Sequence, residues 1–416
     1  MNRGAIWTQP KILAVELITI INLFIISQSW ELIKLSKVWR IAALLWSAFL
    51  LIGIITTIYS PLPVRSLLGH VTMKSGLLYY GLIAVFTMSN ALVLKLKPEV
   101  VKAQFQGLLI GGLILSLSIF PQTLNWQIDY TATTGQLIKE NILKSTIFQG
   151  HQPIGLYSHR GHAAFTLAAV NVMALVAYQK KWINIKQLAL YIIPAMPALI
   201  FTQTRAGLLA LIIAFGYLLG KKHYKVIAVG AIATILIISI ISTNRHIKDF
   251  PIINQITSNR VDFWSFSTRR IKQRPLFGWG FDGFEIAYPF QPDGKIKTTQ
   301  ALTSKAHNLI LDTAVSVGII GTVVYLILIG FCLYLVSKSS MVGMVGVAIA
   351  YLTYTFTWYE CAQFTHIFWW SLSFFDYEKV IRSISINNQS VTSYSSMDTR
   401  IRSWISAAKA RIFRKV

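Results

Sequence analysis

The sequence predicts an all-α, polytopic transmembrane helical bundle, on three observations. Only 13% of its 416 residues are charged, about half of what soluble domains carry. Apolar runs of roughly 16 to 24 residues recur from end to end, the length that about 30 Å of hydrocarbon requires of a helix rising about 1.5 Å per residue. Lysines cluster in alternate short connections between these runs, as positive-inside topology demands.

In chain order the runs place spans at 11–28, 41–59, 75–94, 105–120, 162–179, 187–201, 206–220, 226–242, 319–336, 341–358 and 361–376. That makes about eleven, or twelve if 307–318 adds a half-span or re-entrant helix. The first run is read as a retained span rather than a cleaved signal peptide, because Ser27-Gln28-Ser29 is a poor cleavage site. Lys95, Lys97 and Lys102, then Lys180, Lys181 and Lys186, then Lys221, Lys222 and Lys225 mark three cytoplasmic connections. Counting back puts the N-terminus outside. Residues 1–376 form one transmembrane domain, and 377–416 a basic cytoplasmic tail, solvated or laid on anionic membrane lipid as an amphipathic helix.

Lys and Arg number 39 against 15 Asp and Glu. Much of that excess serves topology, so it implies no nucleic acid. Cys332 and Cys361 both fall in apolar spans and suggest no disulfide framework.

Two long connections, 121–161 and 243–306, fall outside the cytoplasm, and the second is expected to contain short helices. It breaks the positive-inside trend: ten basic residues, among them Arg260, Arg269, Arg270, Lys272, Arg274 and Lys305, stand against five acidic ones. An ordinary solvated loop can carry such charge, since long loops translocate regardless of it. The functional reading is an anion site, because arginine forks match diphosphate oxygens bidentately. Arg205 opens a span at the outer face, where a cation is costly unless paired or near water; snorkelling to headgroups is the bland alternative. His307-Asn308 begins an apolar stretch, with an imidazole suited to general-base work near neutral pH or to a structural role. His159-Arg160-Gly161-His162 again sets a permanent cation among imidazoles at the outer face.

Gly278-Trp279-Gly280-Phe281-Asp282-Gly283 fits GxGxxG only formally. No buried strand precedes it, and the glycines suit a tight turn after Arg274-Pro275 whose N–H groups are free for an anion. The fifteen carboxylates include no DxD or ExD pair to hold a divalent metal against a diphosphate. No metal and no cofactor are expected. Arginine would have to neutralise the leaving group.

Thr204-Arg205-Ala206-Gly207, then Asn259-Arg260 with Trp264, then Pro275-Leu276-Phe277-Gly278-Trp279-Gly280, then His307-Asn308 with Gly318-Ile319-Ile320-Gly321, resemble in order and spacing the O-antigen ligase and polymerase family. The resemblance implies a metal-independent, inverting glycosyltransferase at the periplasmic face of the bacterial inner membrane. Its donor would be a glycan on undecaprenyl diphosphate. It implies His307, Arg205 and Arg260 as the catalytic residues, with Arg270 a second candidate for the loop arginine. Arg160, Arg270, Arg274 and Asn308 join them as substrate-binding candidates. The acceptor would be lipid A–core for a ligase, a second lipid-linked glycan for a polymerase, or protein for a third branch, with the ligase label favoured.

A lipid-linked glycan or polysaccharide transporter is the rival from another class. It predicts charge along the bundle interior, where only Glu16, Lys74 and Glu360 stand. A non-catalytic scaffold would tolerate loss of Arg205 and His307.

Overall fold

The computed structural model describes residues 3–123, 153–220, 260–289 and 305–377, and every regular element among them is helical. The helices are α1 (Arg3–Gln28), α2 (Lys37–Ile58), α3 (Pro63–Leu68), α4 (Leu77–Leu96), α5 (Val100–Thr123), α6 (Arg160–Gln179), α7 (Ile185–Phe201), α8 (Arg205–Leu219), α9 (Arg260–Gln273), α10 (Gly283–Ala287), α11 (Leu309–Lys338), α12 (Met344–Phe356) and α13 (Thr365–Leu372). Six of the described helices, α1, α2, α4, α5, α6 and α11, are long and apolar enough to cross a membrane, and α7, α8 and α12 are shorter apolar helices. The protein is therefore a multi-pass membrane protein. The span expected at 226–242 and the tail after Tyr377 lie outside the described residues.

Helix α6 is the axis of the bundle. It packs against α5, α7, α8 and α12, and most of its residues are buried, many of them alanine. Lipid tails are as apolar as leucine, so hydrophobicity does not drive helices together in a bilayer; close packing of small residues does. Glycines on the surrounding helices meet it accordingly. A Cβ at Gly207 would lie 2.8 Å from Ala164, and one at Gly343 2.8 Å from Val176. A second packing centre is aromatic. Phe49 stacks on Tyr325 at 4.8 Å, Tyr80 lies 4.8 Å from Phe281, and Trp46 lies 4.5 Å from Trp369.

The last two expected spans differ from the sequence reading. Instead of a long helix from residue 361, α12 ends at Phe356 and α13 has only 8 residues, followed by one 3-10 turn. The segment 357–364 between them is not helical, and all of it from Tyr359 onward is buried. Irregular backbone survives at membrane depth only where protein satisfies its polar groups. Here Ala362 N–H donates to Met73 O (3.0 Å), while the Tyr351 and Tyr325 hydroxyls donate to Glu360 Oε2 at 2.8 and 3.3 Å. The two polar side chains Glu360 and Gln363 thus turn the chain inside the protein, which apolar run length does not reveal.

The half-span expected at 307–318 is present as the first segment of α11, which breaks at Gly318 (φ 70°, ψ −177°). A break in a helix orphans backbone groups on both sides. The turn after α9 supplies the missing partners. Trp279 N–H donates to Val315 O and Gly280 N–H to Ser316 O, both at 2.9 Å, and Ile319 N–H donates to Pro275 O at 2.8 Å. Gly278 (φ 67°) and Gly280 (φ 102°) permit the left-handed turn. The glycine-turn expectation holds, but the expectation of N–H groups left for an anion is corrected. Those of residues 278, 279 and 280 go to backbone carbonyls, and those of Phe281 and Gly283 go to the Ser66 and Ser316 hydroxyls.

The two described lysine connections, after α4 and after α6, share one end of the bundle. Lys95 pairs with Asp376 (3.1 Å), and Lys180 donates to Ser340 O, both at the end away from Arg160 and His307.

The break at Gly318 gives a direct test. Gly318→Ala puts a Cβ at positive φ and against the Leu276 carbonyl, so a loss of about 1–3 kcal/mol is expected. Gly330→Ala meets nothing within 4 Å in the same helix and should be neutral or gain up to about 1 kcal/mol. Thermal unfolding in detergent, comparing the two variants, checks the difference.

Candidate functional site

Four helix N-termini gather at the end of the bundle away from the lysine turns: those of α6, α8, α9 and α11. Each begins at or just after one of the residues singled out from sequence. A helix N-terminus carries about half a positive charge, so this end favours anions even before its side chains are counted.

His159 caps α6, its Nδ1 accepting from Gly161 N–H at 3.0 Å. Arg160 follows as the first helical residue. Its Nη1 donates to Gln203 O at 3.2 Å and Thr202 O at 3.4 Å, so the guanidinium is held on the turn between α7 and α8. That turn is tight, with Gln203 at φ 51°, and it delivers Arg205 to the start of α8. Arg205 is exposed and has no hydrogen bond or ion pair among the described residues. Arg160 and Arg205 are thus neighbours through one turn, the first bound to it and the second pointing away to solvent.

His307 lies at the other side of this end, just before α11. Its backbone is left-handed (φ 55°), a conformation that costs a non-glycine residue roughly 1–3 kcal/mol and persists only where the surroundings enforce it. Its Nδ1 lies 3.2 Å from Lys305 O. A carbonyl only accepts, so Nδ1 carries the proton and Nε2 keeps its lone pair. The ring stacks on Phe263 of α9 (5.8 Å, 25° between planes) and meets Tyr359 and Trp358 edge-on at 4.9 and 5.2 Å.

Trp358 is the common neighbour. The Arg260 guanidinium lies over its ring at 5.2 Å and His159 sits 5.3 Å away. A cation over an indole face is attracted by the ring quadrupole. It is also held without a carboxylate, which leaves its donors free for a ligand. Against the same ring, a Cβ on Gly161 would come 2.8 Å from both Trp358 and the Tyr354 hydroxyl. Glycine is what lets α6 start this close. Arg260, His307, His159 and Arg160 are therefore brought together around Trp358 and Tyr354, with Arg205 beside Arg160.

Burial, and then the nearby Arg260 charge, push the His307 imidazole down to about 4, against a smaller opposing effect from its bond to Lys305. It is neutral at physiological pH. Burial also lowers Arg260, though a guanidinium remains charged throughout.

The other candidates fall elsewhere. Arg270 is ten residues beyond Arg260 on α9, about 15 Å along the axis. It is almost fully buried between Phe266 (4.7 Å) and Trp279 (5.8 Å), and donates to Gln273 Oε1 at 2.8 Å. Arg274 lies over Trp279 at 4.4 Å and donates to Tyr59 O at 3.1 Å. These two clamp the turn that completes α11, and of the two loop-arginine candidates only Arg260 shares a neighbour with His307. Asn308 caps α11, accepting from Leu311 N–H at 3.0 Å and donating to Phe356 O at 3.1 Å. Its amide is engaged within the protein at both ends.

Trp358, Tyr354, Tyr359 and Phe263 were not singled out from sequence, and Lys305 was counted only among the basic residues of the loop. The signal for Trp358 and Tyr359 was Trp358-Tyr359-Glu360 interrupting an apolar run, but that interruption does not say which loop it folds beneath. Among the described residues no three His, Cys, Asp or Glu side chains are grouped to hold a metal ion.

Residues 189–326 match the family model described as O-antigen ligase, in agreement with the resemblance carried by the Arg205, Arg260 and His307 motifs. The match runs from within α7 through the first three-fifths of α11 and leaves Arg160 and Trp358 outside it. A search of curated proteins found no match to the chain.

The electrostatic account is testable in the unliganded protein. In nitrogen-15 histidine spectra the His307 ring should titrate near 4, and Arg260→Gln should move that midpoint upward, since loss of a neighbouring cation favours imidazolium. An unchanged midpoint would assign the whole effect to burial.

Proposed function

Taking the O-antigen ligase domain at residues 189–326 as the premise, we propose that this protein is a membrane glycosyltransferase of the ligase type. It moves a glycan from undecaprenyl diphosphate to an acceptor sugar, lipid A–core being the acceptor that defines a ligase. The reaction takes place at the periplasmic face of the bacterial inner membrane. The observation that carries the reading is the meeting of Arg260 and His307 across Trp358, at the same end as Arg160 and Arg205.

The step follows from the side chains. The acceptor hydroxyl oxygen attacks the anomeric carbon and its proton passes to His307 Nε2. The bond from that carbon to the diphosphate oxygen breaks, and the electron pair leaves with the diphosphate. Attack opposite the leaving group inverts the anomeric configuration. Arg260 and Arg205 hold the departing diphosphate, and their fixed charges stabilise the negative charge growing there. Arg160 adds a third cation on the donor side. Arginine takes the place a divalent ion would occupy, so the reaction is read as metal-independent.

A base whose proton affinity lies near 4 is neutral and ready but weak. The donor corrects this. A diphosphate beside Arg260 cancels the repulsion that the guanidinium exerts on imidazolium, and so raises His307 when substrate is bound. Because the neutral form is the active one, activity falls as pH drops through the histidine pKa. The acidic limb of kcat/KM should lie near 4 and that of kcat higher. Coincident limbs would argue against the coupling.

Transfer from lipid-linked glycan by purified protein tests the reading itself. His307→Ala should lower kcat by about 10²–10⁴, and Arg205→Ala or Arg260→Ala by about 10²–10³, each with unfolding temperature retained. Activity should persist in a chelator. Full transfer by His307→Ala, or abolition by chelation, would overturn it.

A further inference from the structure

The residue before the left-handed histidine loop is a buried cation. Lys305 Nζ lies 2.7 Å from Asp282 Oδ1, with side chains 6% and 0% exposed. The pair is tied in further: Ser75 Oγ donates to Asp282 Oδ1 at 3.0 Å and accepts from Lys305 at 3.1 Å, and His70 N–H donates to Asp282 Oδ2. Asp282 sits on the glycine turn that closes the break in α11, itself at φ 60°. Nothing in the transfer step above uses this pair. Burying two charges is expensive and rarely a net gain over packed apolar side chains, so a positional role is the reason to look for.

The anchoring around His307 is complete residue by residue. The Lys305 side chain is fixed on Asp282. The Ala306 N–H donates to Asp312 Oδ1 at 2.7 Å, and Asn308 caps α11 and holds Phe356 O. His307 itself has one hydrogen bond, from Nδ1 to the Lys305 carbonyl. That carbonyl belongs to the residue the ion pair immobilises. We propose that Lys305 and Asp282 are positioning residues for His307: by fixing the Lys305 carbonyl they hold the imidazole as the Nδ1–H tautomer and aim Nε2 at the acceptor hydroxyl. This rests on the glycosyl-transfer reading for the identity of the base, whereas the tautomer is a property of the unliganded protein.

Removing one partner alone leaves a buried charge unpaired and is strongly destabilising, so the test removes both. In Lys305→Met/Asp282→Asn the asparagine keeps a residue type that tolerates positive φ. The double variant should fold, keep its donor KM, and lose kcat by about 100-fold, the effect of about 1 Å of misplacement. A matched control is Lys95→Met/Asp376→Asn, which removes the ion pair at the opposite end and should leave kcat unchanged. Nitrogen-15 histidine spectra supply a readout independent of turnover. Wild-type His307, identified by its loss in His307→Gln, should show Nδ1 protonated and Nε2 bare, and the double variant a mixture of tautomers. Should the double variant not fold, Ser75→Ala removes the shared hydroxyl from both partners and should give a smaller shift of the same kind.

An Nε2–H tautomer in the wild type overturns the proposal. So does a folded double variant, or a folded Ser75→Ala variant, with unchanged tautomer and unchanged kcat. Absence of transfer by the wild type, with the tautomer as described, would sink the glycosyltransferase reading and leave the positional one standing.

Discussion

At membrane depth an unpaired backbone N–H or C=O has no water to turn to, and the break in α11 at Gly318 creates several of them at once. The turn 275–280 answers each with a backbone group of its own. That exchange joins two parts of the chain that the site needs together. The turn is clamped to α9 by Arg270 and Arg274 on Trp279, and α9 begins at Arg260. The helix completed by the turn begins just after His307. The arginine and the histidine therefore stand at the starts of two helical segments whose far ends are joined by one hydrogen-bonded turn, and their spacing is set by backbone geometry rather than by flexible loops.

The charge at this end follows a different logic from ordinary surface charge. Arg260 rests on an indole ring and Arg160 on two carbonyls, while Arg205 is bare. None of the three has a carboxylate partner among the described residues. Two acidic side chains that follow α9 are engaged elsewhere: Asp282 with Lys305, and Glu285 with Arg65 at 2.7 Å. Positive charge left uncompensated in a partly dehydrated place is a standing cost that an arriving polyanion relieves. Under the proposed function, that cost is what would favour a diphosphate over a neutral sugar at this end of the bundle.

The spans and the opening residues of the helices were legible in the sequence because both depend on local patterns. Run length reports hydrocarbon thickness, and Arg205 and His307 stand where apolar runs begin. The half-span before Gly318 was legible for the same reason. What was not legible came from distant pairings. Arg270 and Arg260 look alike in sequence, and only the position of Trp279 distinguishes a clamp from a candidate ligand-binding cation. Trp358 ends the span expected at 341–358, yet Glu360 and Gln363 find partners on α1, α11 and α12 and fold the segment after it back under His307. No periodicity encodes that.

Helix α6 has one more consequence. Of its apolar window 89% is buried inside the protein, against 22% for α1 and 33% for α2 and α5. Bilayers differ in thickness, and the helices that touch lipid are the ones that tilt or stretch the surrounding leaflet to compensate. Shielded on all sides, α6 is spared that adjustment. The histidine cap and arginine at its end are carried on a strut that does not feel the acyl chains, so a change in lipid composition would be absorbed at the periphery before it reached the chemistry.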